Sequence, residues 1–475
     1  MSAGTGKRSR VSGASADASG AAADYARILL TSVGHPDAGD LAVSSEPHPA
    51  LAAAATGLMA LTGRADGPPV PPPGHLAACA RGAIAALRAL ARPGDAALAG
   101  LDGGALLGER AAVRGFARRG TTSAGGQCRL VRTRDGWLAL NLPRDDDRAA
   151  VPAWLETPVG ADPWPTIDRI AGARRAAPLV ARARLLGLAA AAAGPPAATP
   201  PPWYRVHARG RRAVSPRGRA PLVLDLSALW AGPLAGALLA AAGARVLKVE
   251  STRRPDGARG GPAAFFDLLH AGKASVALDF ASPSGRRALV ALVARADVVI
   301  ESARPRAMQQ LGIDPAALVR ARAGLTWISV TGYGRSGAAG RWIAFGDDAA
   351  AAAGLAHATG RLAGGDTPLF CADAIADPLT GMHAAVAALA GYRHGGGVLA
   401  ALALRDVAAY ALAFGPAPTA ATVRSLDRPA GPPAWEVVAD GVRAPVRAPR
   451  ARAPHARARP LGADTAAVLR ELDVA

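Results

Sequence analysis

The stretch that decides the fold is PLVLDLS (221–227), together with ARVLKVE (244–250), SVALDF (275–280), ADVVIES (296–302) and LTWISVTGYG (325–334). Each run is short and apolar, and helical intervals separate one from the next. Strands alternating with helices predict βαβ units and a parallel sheet. The expected fold class is therefore α/β, a Rossmann-like parallel sheet with flanking helices plus a smaller α+β domain. The smaller domain is announced by GGQCRLVRTRDGWLALNL (125–142), where alternation and the Asp135-Gly136 turn predict a β-hairpin.

Working outward, five regions follow. Residues 1–22 read as a disordered, low-complexity lead; they lack the apolar stretch of a signal peptide. Residues 23–200 form a small-domain-like half, and 201–219 a Pro/Arg-rich linker. Residues 220–400 carry the Rossmann-like half. Residues 401–475 form an Ala/Pro/Arg-rich tail ending in a short helix, DTAAVLREL (464–472). TGLMALTG (56–63) also echoes AGLAHATG (353–360), so that Gly57, Leu58, Thr62 and Gly63 fall on Gly354, Leu355, Thr359 and Gly360. Further on, Gly82 falls on Gly381, and Ala78 occupies the place of Asp377.

A chain of 475 residues exceeds one ordinary core, so two or three packed units are expected. The net charge of +19 favours acidic partners: nucleic acid, anionic lipid or a polyphosphorylated small molecule. The arginine-rich 443–459 has no aromatic residue for base stacking, which argues for a solvated, disordered tail and against specific nucleic-acid binding. Cys79, Cys128 and Cys371 are sparse and odd in number, a pattern of reduced thiols in a cytoplasmic protein rather than of disulfides or zinc. Leu226–Ala244 is uncharged, but Pro233 and its glycines make it read as strand, loop and buried helix, not as a membrane span.

Asp377 precedes Pro378 and a helical run, which predicts a helix N-cap with Pro at the first helical position. It is either a structural cap or a carboxylate that the helix end keeps ionised as a nucleophile. Ala78 in the first copy shows that such a helix can start without a carboxylate. Asp347 and Asp348 read as a solvated turn or another cap. Lys273 and Arg304 flank strands and are candidates for ligand phosphates. SAGGQC (123–128) lacks the Lys-Ser/Thr of a P-loop, so it is a hairpin entry rather than a nucleotide loop.

The ordered segments VLDLSALWAGPLAGALLAAAGARVLKVE, HAGKASVALDF, ADVVIESARPRAMQQLGI, VTGYGRSG and IADPLTGMHAAVAAL resemble the N-terminal half of the class III CoA-transferases. That group holds formyl-CoA and carnitine-CoA transferases and alpha-methylacyl-CoA racemases. The resemblance implies that Asp377 is the catalytic carboxylate and that Asp348 contributes to the active site. It implies CoA contacts at Lys273, Trp230 and Ala231, with Arg304 and Arg253 as further basic candidates. Residues 23–200 resemble the family's small domain, where a Gly-rich loop covering the acyl site matches Gly125, Gly126 and Gln127. The halves thus stand in inverted order. The chain departs from the family at Ser251 and Gln310, where basic residues are usual.

The implied reaction moves CoA from an acyl-CoA donor to a carboxylic acid through an acyl-aspartyl anhydride and an enzyme–CoA thioester. CoA is then a substrate, with no permanently bound cofactor, no metal and no membrane; a homodimer is the family's usual assembly. A racemase is the first alternative, although Asp347 stands where the racemases carry His. A non-catalytic CoA-fold binding protein is the second.

Overall fold

The computed structural model describes residues 20–36, 41, 43, 48–92, 96–214, 219–426 and 434–474. The lead 1–22 lies outside these up to residue 19, and Ala21 opens a helix, Ala21–Ser32.

The five apolar runs are the strands the sequence predicts: β5 (Leu222–Leu226), β6 (Arg245–Ser251), β7 (Ala274–Leu278), β8 (Val298–Glu301) and β9 (Thr326–Thr331). With β10 (Val398–Ala403) and β4 (Arg205–Arg209) they form a seven-stranded sheet in the order β4-β10-β9-β8-β5-β6-β7. Every pairing is parallel except that of β4 with β10. The chain leaves β5 in one direction for β6 and β7, then returns to the other side of β5 for β8. Ligand sites of such sheets lie at the carboxyl ends of strands around this reversal.

Leu226–Ala244 resolves into the end of β5, a loop and the buried helix Ala231–Ala241. No helix among the described residues is long and apolar enough to cross a membrane.

The hairpin is β1 (Cys128–Thr133) with β2 (Gly136–Asn141), Thr133 facing Gly136, and β3 (Ala189–Ala192) completes a small antiparallel sheet. It has its own core, including Trp154, Trp164 and Ile167.

Three boundaries differ from expectation. The region 23–200 does not pack as one unit: Tyr25 to Ala111 share a core with the Rossmann-like half, and only the later part surrounds the small sheet. The linker contains β4, an edge strand whose charged residues Arg205 and Arg209 suit a sheet margin facing water. The tail is not free chain either. It contributes β11 (Thr422–Leu426), β12 (Ala434–Ala439) and β13 (Val442–Pro445), and then Arg452 grips Glu109 through its Nε and Nη2, at 2.6 and 2.9 Å.

The two echoing segments share local devices. Gly57 and Gly354 both adopt left-handed φ, 84° and 92°, and a Cβ on either would sit within 2.5 Å of a proline Cα. Thr62 and Thr359 each donate their hydroxyl to the carbonyl four residues back. Gly82 and Gly381 each let a helix backbone approach, that of Ala22 and of Ala231 respectively. A Cβ on either glycine would lie 2.6 Å from the approaching carbonyl oxygen.

Candidate active site

After β9 the chain enters the helix Gly346–Ala352, which carries Asp347 and Asp348 in its first turn. A second turn, Ala372-Asp373-Ala374, leads into the helix Ala376–Arg393 and holds Ala372 and Ala374 at φ of 57° and 42°. Left-handed alanines are unfavourable, and such strain concentrates at functional sites. The turn also corrects the capping expectation. Ile375 is the N-cap, so Asp377 and Pro378 are the second and third helical residues. The left-handed turn delivers the chain to the helix two residues earlier than an Asp-Pro cap would.

Three carboxyls, of Asp373, Asp347 and Asp377, thereby gather around one guanidinium, with Asp348 next to Asp377. Arg110, from the helix Glu109–Arg114, binds Asp373 bidentately, with Nη2–Oδ1 at 2.5 Å and Nε–Oδ2 at 2.9 Å, and lies 4.9 Å over the Trp230 ring. Asp347 Oδ1 accepts from the Ala374 N–H at 2.9 Å. Asp348, fully buried, accepts from Tyr333 at 2.6 Å, the Phe345 N–H at 2.8 Å and Asn141 Nδ2 at 3.2 Å. Asp377, which retains some exposure, accepts on Oδ2 from the Gly346 N–H at 3.1 Å. Only glycine fits at 346: a Cβ there would lie 2.5 Å from that same oxygen and 2.3 Å from the Ala374 carbonyl.

Burial dominates the electrostatics, because the charged form of a carboxyl loses its hydration. It pushes Asp377 up to about 7, with the neighbouring carboxylates adding to the rise and Arg110 and the Gly346 N–H opposing it. Asp347 also reaches about 7, through burial and then Asp373, against Arg110. Asp348 stops at about 6 because its three donors offset part of the same penalty. Helix-end stabilisation of the Asp377 anion, the expectation from sequence, is thus outweighed.

The other candidate residues divide. Gly125 and Gly126 lie at the entry to β1, Gly126 with φ of 81°. A Cβ on Gly125 would sit 3.8 Å from Arg110 Nη2, so the loop reaches the guanidinium that faces the carboxyls. Gln127 beside it is exposed. Trp230 and Ala231 are buried at the start of the 231–241 helix, where Trp230 also meets Phe265 edge-on at 5.4 Å. Arg304 is exposed beyond β8, and Arg253 is exposed and pairs with Asp279 at 3.1 Å.

Lys273 does not fit a phosphate contact. It precedes β7, 2% exposed under the 231–241 helix, with Nζ 2.7 Å from Asp225 and 2.8 Å from the Pro233 carbonyl. The carboxylate on β5 draws the ammonium inward, away from any open cleft.

Arg110, Asp373, Asn141 and Tyr333 carried no signal of their own in the sequence. Asp373 could have been noticed as the earlier acid of CADAIAD (371–377). Arg110 and Asn141 come from segments far away in the chain. All three cysteines are buried and unpaired, and no cluster of potential metal ligands occurs among the described residues.

Residues 221–431 match CoA-transferase family III. An acyl-CoA transferase of Fusarium pseudograminearum is 31% identical over 34% of this chain and 38% of its own length. A succinate–glutarate CoA-transferase of Agrobacterium fabrum is 31% identical over 42% of this chain and 54% of its own. The chain thus spans roughly half or less of these relatives. Among solved structures, a CAIB/BAIF family protein from Brucella suis is 29% identical over 41% of this chain and 54% of its own, with a TM-score of 0.35.

Proposed function

We propose that the protein is a CoA-transferase that uses Asp377 as its nucleophile. The observation that carries this reading is the state of that carboxyl among its neighbours. Asp373 is held by Arg110, and Asp348 is saturated by three donors. Asp377 is the most exposed of the four, ahead of Asp347 at 7%, and it titrates near neutrality, a combination expected of a working acid, base or nucleophile.

In this reading an Asp377 oxygen attacks the thioester carbonyl of the donor. The C–S bond breaks, CoA leaves as thiolate, and an acyl-aspartyl anhydride remains. The thiolate then attacks the aspartyl carbonyl, releasing the donor carboxylate and leaving CoA bound to Asp377 as a thioester. The acceptor carboxylate attacks that thioester, forming a new anhydride and freeing the thiolate once more. Thiolate attack on the acceptor acyl carbonyl releases the new acyl-CoA and regenerates Asp377. The Gly125 backbone, beside Arg110, is the part of the loop suited to the oxyanions of these steps, since the Gly126 N–H already donates to the Ser123 carbonyl. Arg110 keeps Asp377 from rising further and so preserves its anionic fraction. CoA is the substrate, and a carboxylic acid the acceptor. The inverted order of the halves would bring the covering loop and the nucleophile into one chain.

The relatives' names speak of succinate, glutarate, citramalate, malate and oxalate, so a short dicarboxylic acid is the first acceptor class to try. Steady-state transfer from succinyl-CoA to a panel of carboxylic acids tests this. Double-reciprocal lines should be parallel, as for a ping-pong sequence; intersecting lines with no covalent adduct would oppose it.

One observation favours a second reading. Asp347 and Asp377 both titrate near 7 beside Arg110, and racemisation next to a thioester needs two acid/base groups. Deuterium incorporation from solvent at the α-carbon of a branched acyl-CoA, without transfer, would select the racemase.

A further inference from the structure

The Arg/Pro-rich stretch after β13 runs as a strap over the first part of the chain. No helix or strand interrupts it before the helix Thr465–Glu471, and Pro449, Pro454 and Pro460 suit it to neither. It is nevertheless fixed at both ends. The Arg447 N–H donates to the Ala54 carbonyl at 3.0 Å, and the Ala458 N–H donates to Asp267 Oδ1 at 2.8 Å. Between these anchors Pro449 passes Gly108 so closely that a Cβ on the glycine would lie 2.9 Å from the proline Cβ. Gly108 is the N-cap of the helix Glu109–Arg114.

Three residues further along the strap, Arg452 closes on Glu109, the first residue of that helix. Besides the two guanidinium bonds, the Arg452 N–H donates to Glu109 Oε1 at 3.0 Å. Glu109 is 2% exposed, so its carboxylate has left water and finds its hydrogen bonds in Arg452. The next residue is Arg110. Successive helical side chains point about 100° apart, which lets Glu109 reach the strap while Arg110 reaches Asp373 and the Trp230 ring. A helix of six residues does not hold itself in place. Its first turn is pinned by two bidentate ion pairs, one to the tail and one to the turn that precedes Asp377.

We infer that Glu109 and Arg452 are positioning residues for the acid cluster: the strap seats the 109–114 helix, and the helix sets Arg110 against Asp377. Arg110 is the cation that opposes burial at Asp347 and Asp377 alike. The groups facing Asp377 are Arg110 from this helix, Asp347 and Asp348 from the helix Gly346–Ala352, and Asp373 from the turn before its own helix. Withdrawing the one positive group leaves carboxyls facing carboxyls, and Asp377 then keeps its proton to higher pH. The inference rests on the contacts around these acids and goes beyond the reaction assigned to them.

Carboxyl carbon-13 titration of the full chain tests it, with the Asp377 resonance assigned by its loss in Asp377→Asn. The wild-type midpoint should lie at about 7. Arg452→Ala should raise it by at least about 0.5 pH unit, about threefold in proton affinity. Arg452→Lys, which keeps the charge but not the fork, should recover part of that shift. Because Arg452→Ala also strands a buried carboxylate, Glu109→Met is needed to break the same pair without leaving a charge behind. The two changes remove charges of opposite sign. A direct field effect would therefore move the midpoint up in Arg452→Ala and down in Glu109→Met, whereas lost positioning moves it up in both. Adding Arg452→Ala to Arg110→Gln should shift the midpoint little further, since the cation is already gone. A midpoint unmoved or lowered in Glu109→Met, or a shift in the double variant equal to the sum of the single ones, overturns the inference. No substrate takes part, so this failure is distinct from the absence of an acyl-enzyme, which would sink the transferase reading alone.

Discussion

Replacing Asp347 by Asn removes a carboxyl that the fold holds at a cost. Asp347 is 7% exposed and titrates at about 7 in the folded chain, against an unfolded value near 3.8. The folded state therefore binds the proton more tightly than the unfolded state does. Stability falls as pH rises from about 4 to about 7, and the full penalty is present above that. A shift of about three units corresponds to roughly 4 kcal/mol. Coupling to Asp373 and Asp377 spreads protonation over the cluster, so about 2 kcal/mol is the more realistic share. Asn keeps an oxygen for the Ala374 N–H and fills nearly the same volume. Urea unfolding should thus show Asp347→Asn about 2 kcal/mol more stable than wild type at pH 8.5, with the gain largely gone by about pH 3.5. A gain that is the same at both pH values, or a loss at pH 8.5, would refute the electrostatic reasoning.

Three further outcomes follow from the same contacts. Lys273→Ala strands the buried carboxylate of Asp225, so it should destabilise the fold by about 3–5 kcal/mol in denaturant titration. Its CoA affinity, measured at a temperature where the variant is folded, should stay within about twofold of wild type. Gly125→Val should depress kcat while leaving the Kd for CoA nearly unchanged, because the backbone there faces Arg110 rather than open solvent; parallel losses in both would move the loop away from the chemistry. If the Asp377 anion is the attacking form, single-turnover acylation should climb with pH and level off above about 7. A profile flat from pH 5.5 to 8.5 would remove that requirement.

The Rossmann-like half was legible because its strands are continuous apolar runs, as strands buried on both faces must be. β4 was not, since RVHAR on a sheet edge carries the charge and polarity of a linker. The tail misled for a related reason: an Arg/Pro-rich segment reads as solvated until Glu109 and the Ala54 carbonyl supply its partners. Asp377 could be named from its motif, whereas its titration could not, because burial and the other carboxyls come from tertiary structure. Arg110 shows the limit most plainly. GERAAVRGF has nothing to separate it from any helical arginine, yet it faces the three carboxyls of Asp373, Asp347 and Asp377. Lys273 was misjudged because a lysine beside a strand looks the same whether it points to solvent or to a buried aspartate.

The central claim is that Asp377 becomes covalently acylated and then bound to CoA. Wild-type protein incubated with succinyl-CoA, quenched in acid and digested should yield the peptide containing Asp377 carrying CoA as a thioester, and Asp377→Asn should yield none while still binding CoA. An adduct that persists in Asp377→Asn, or turnover by wild type with no adduct on that peptide, would contradict it.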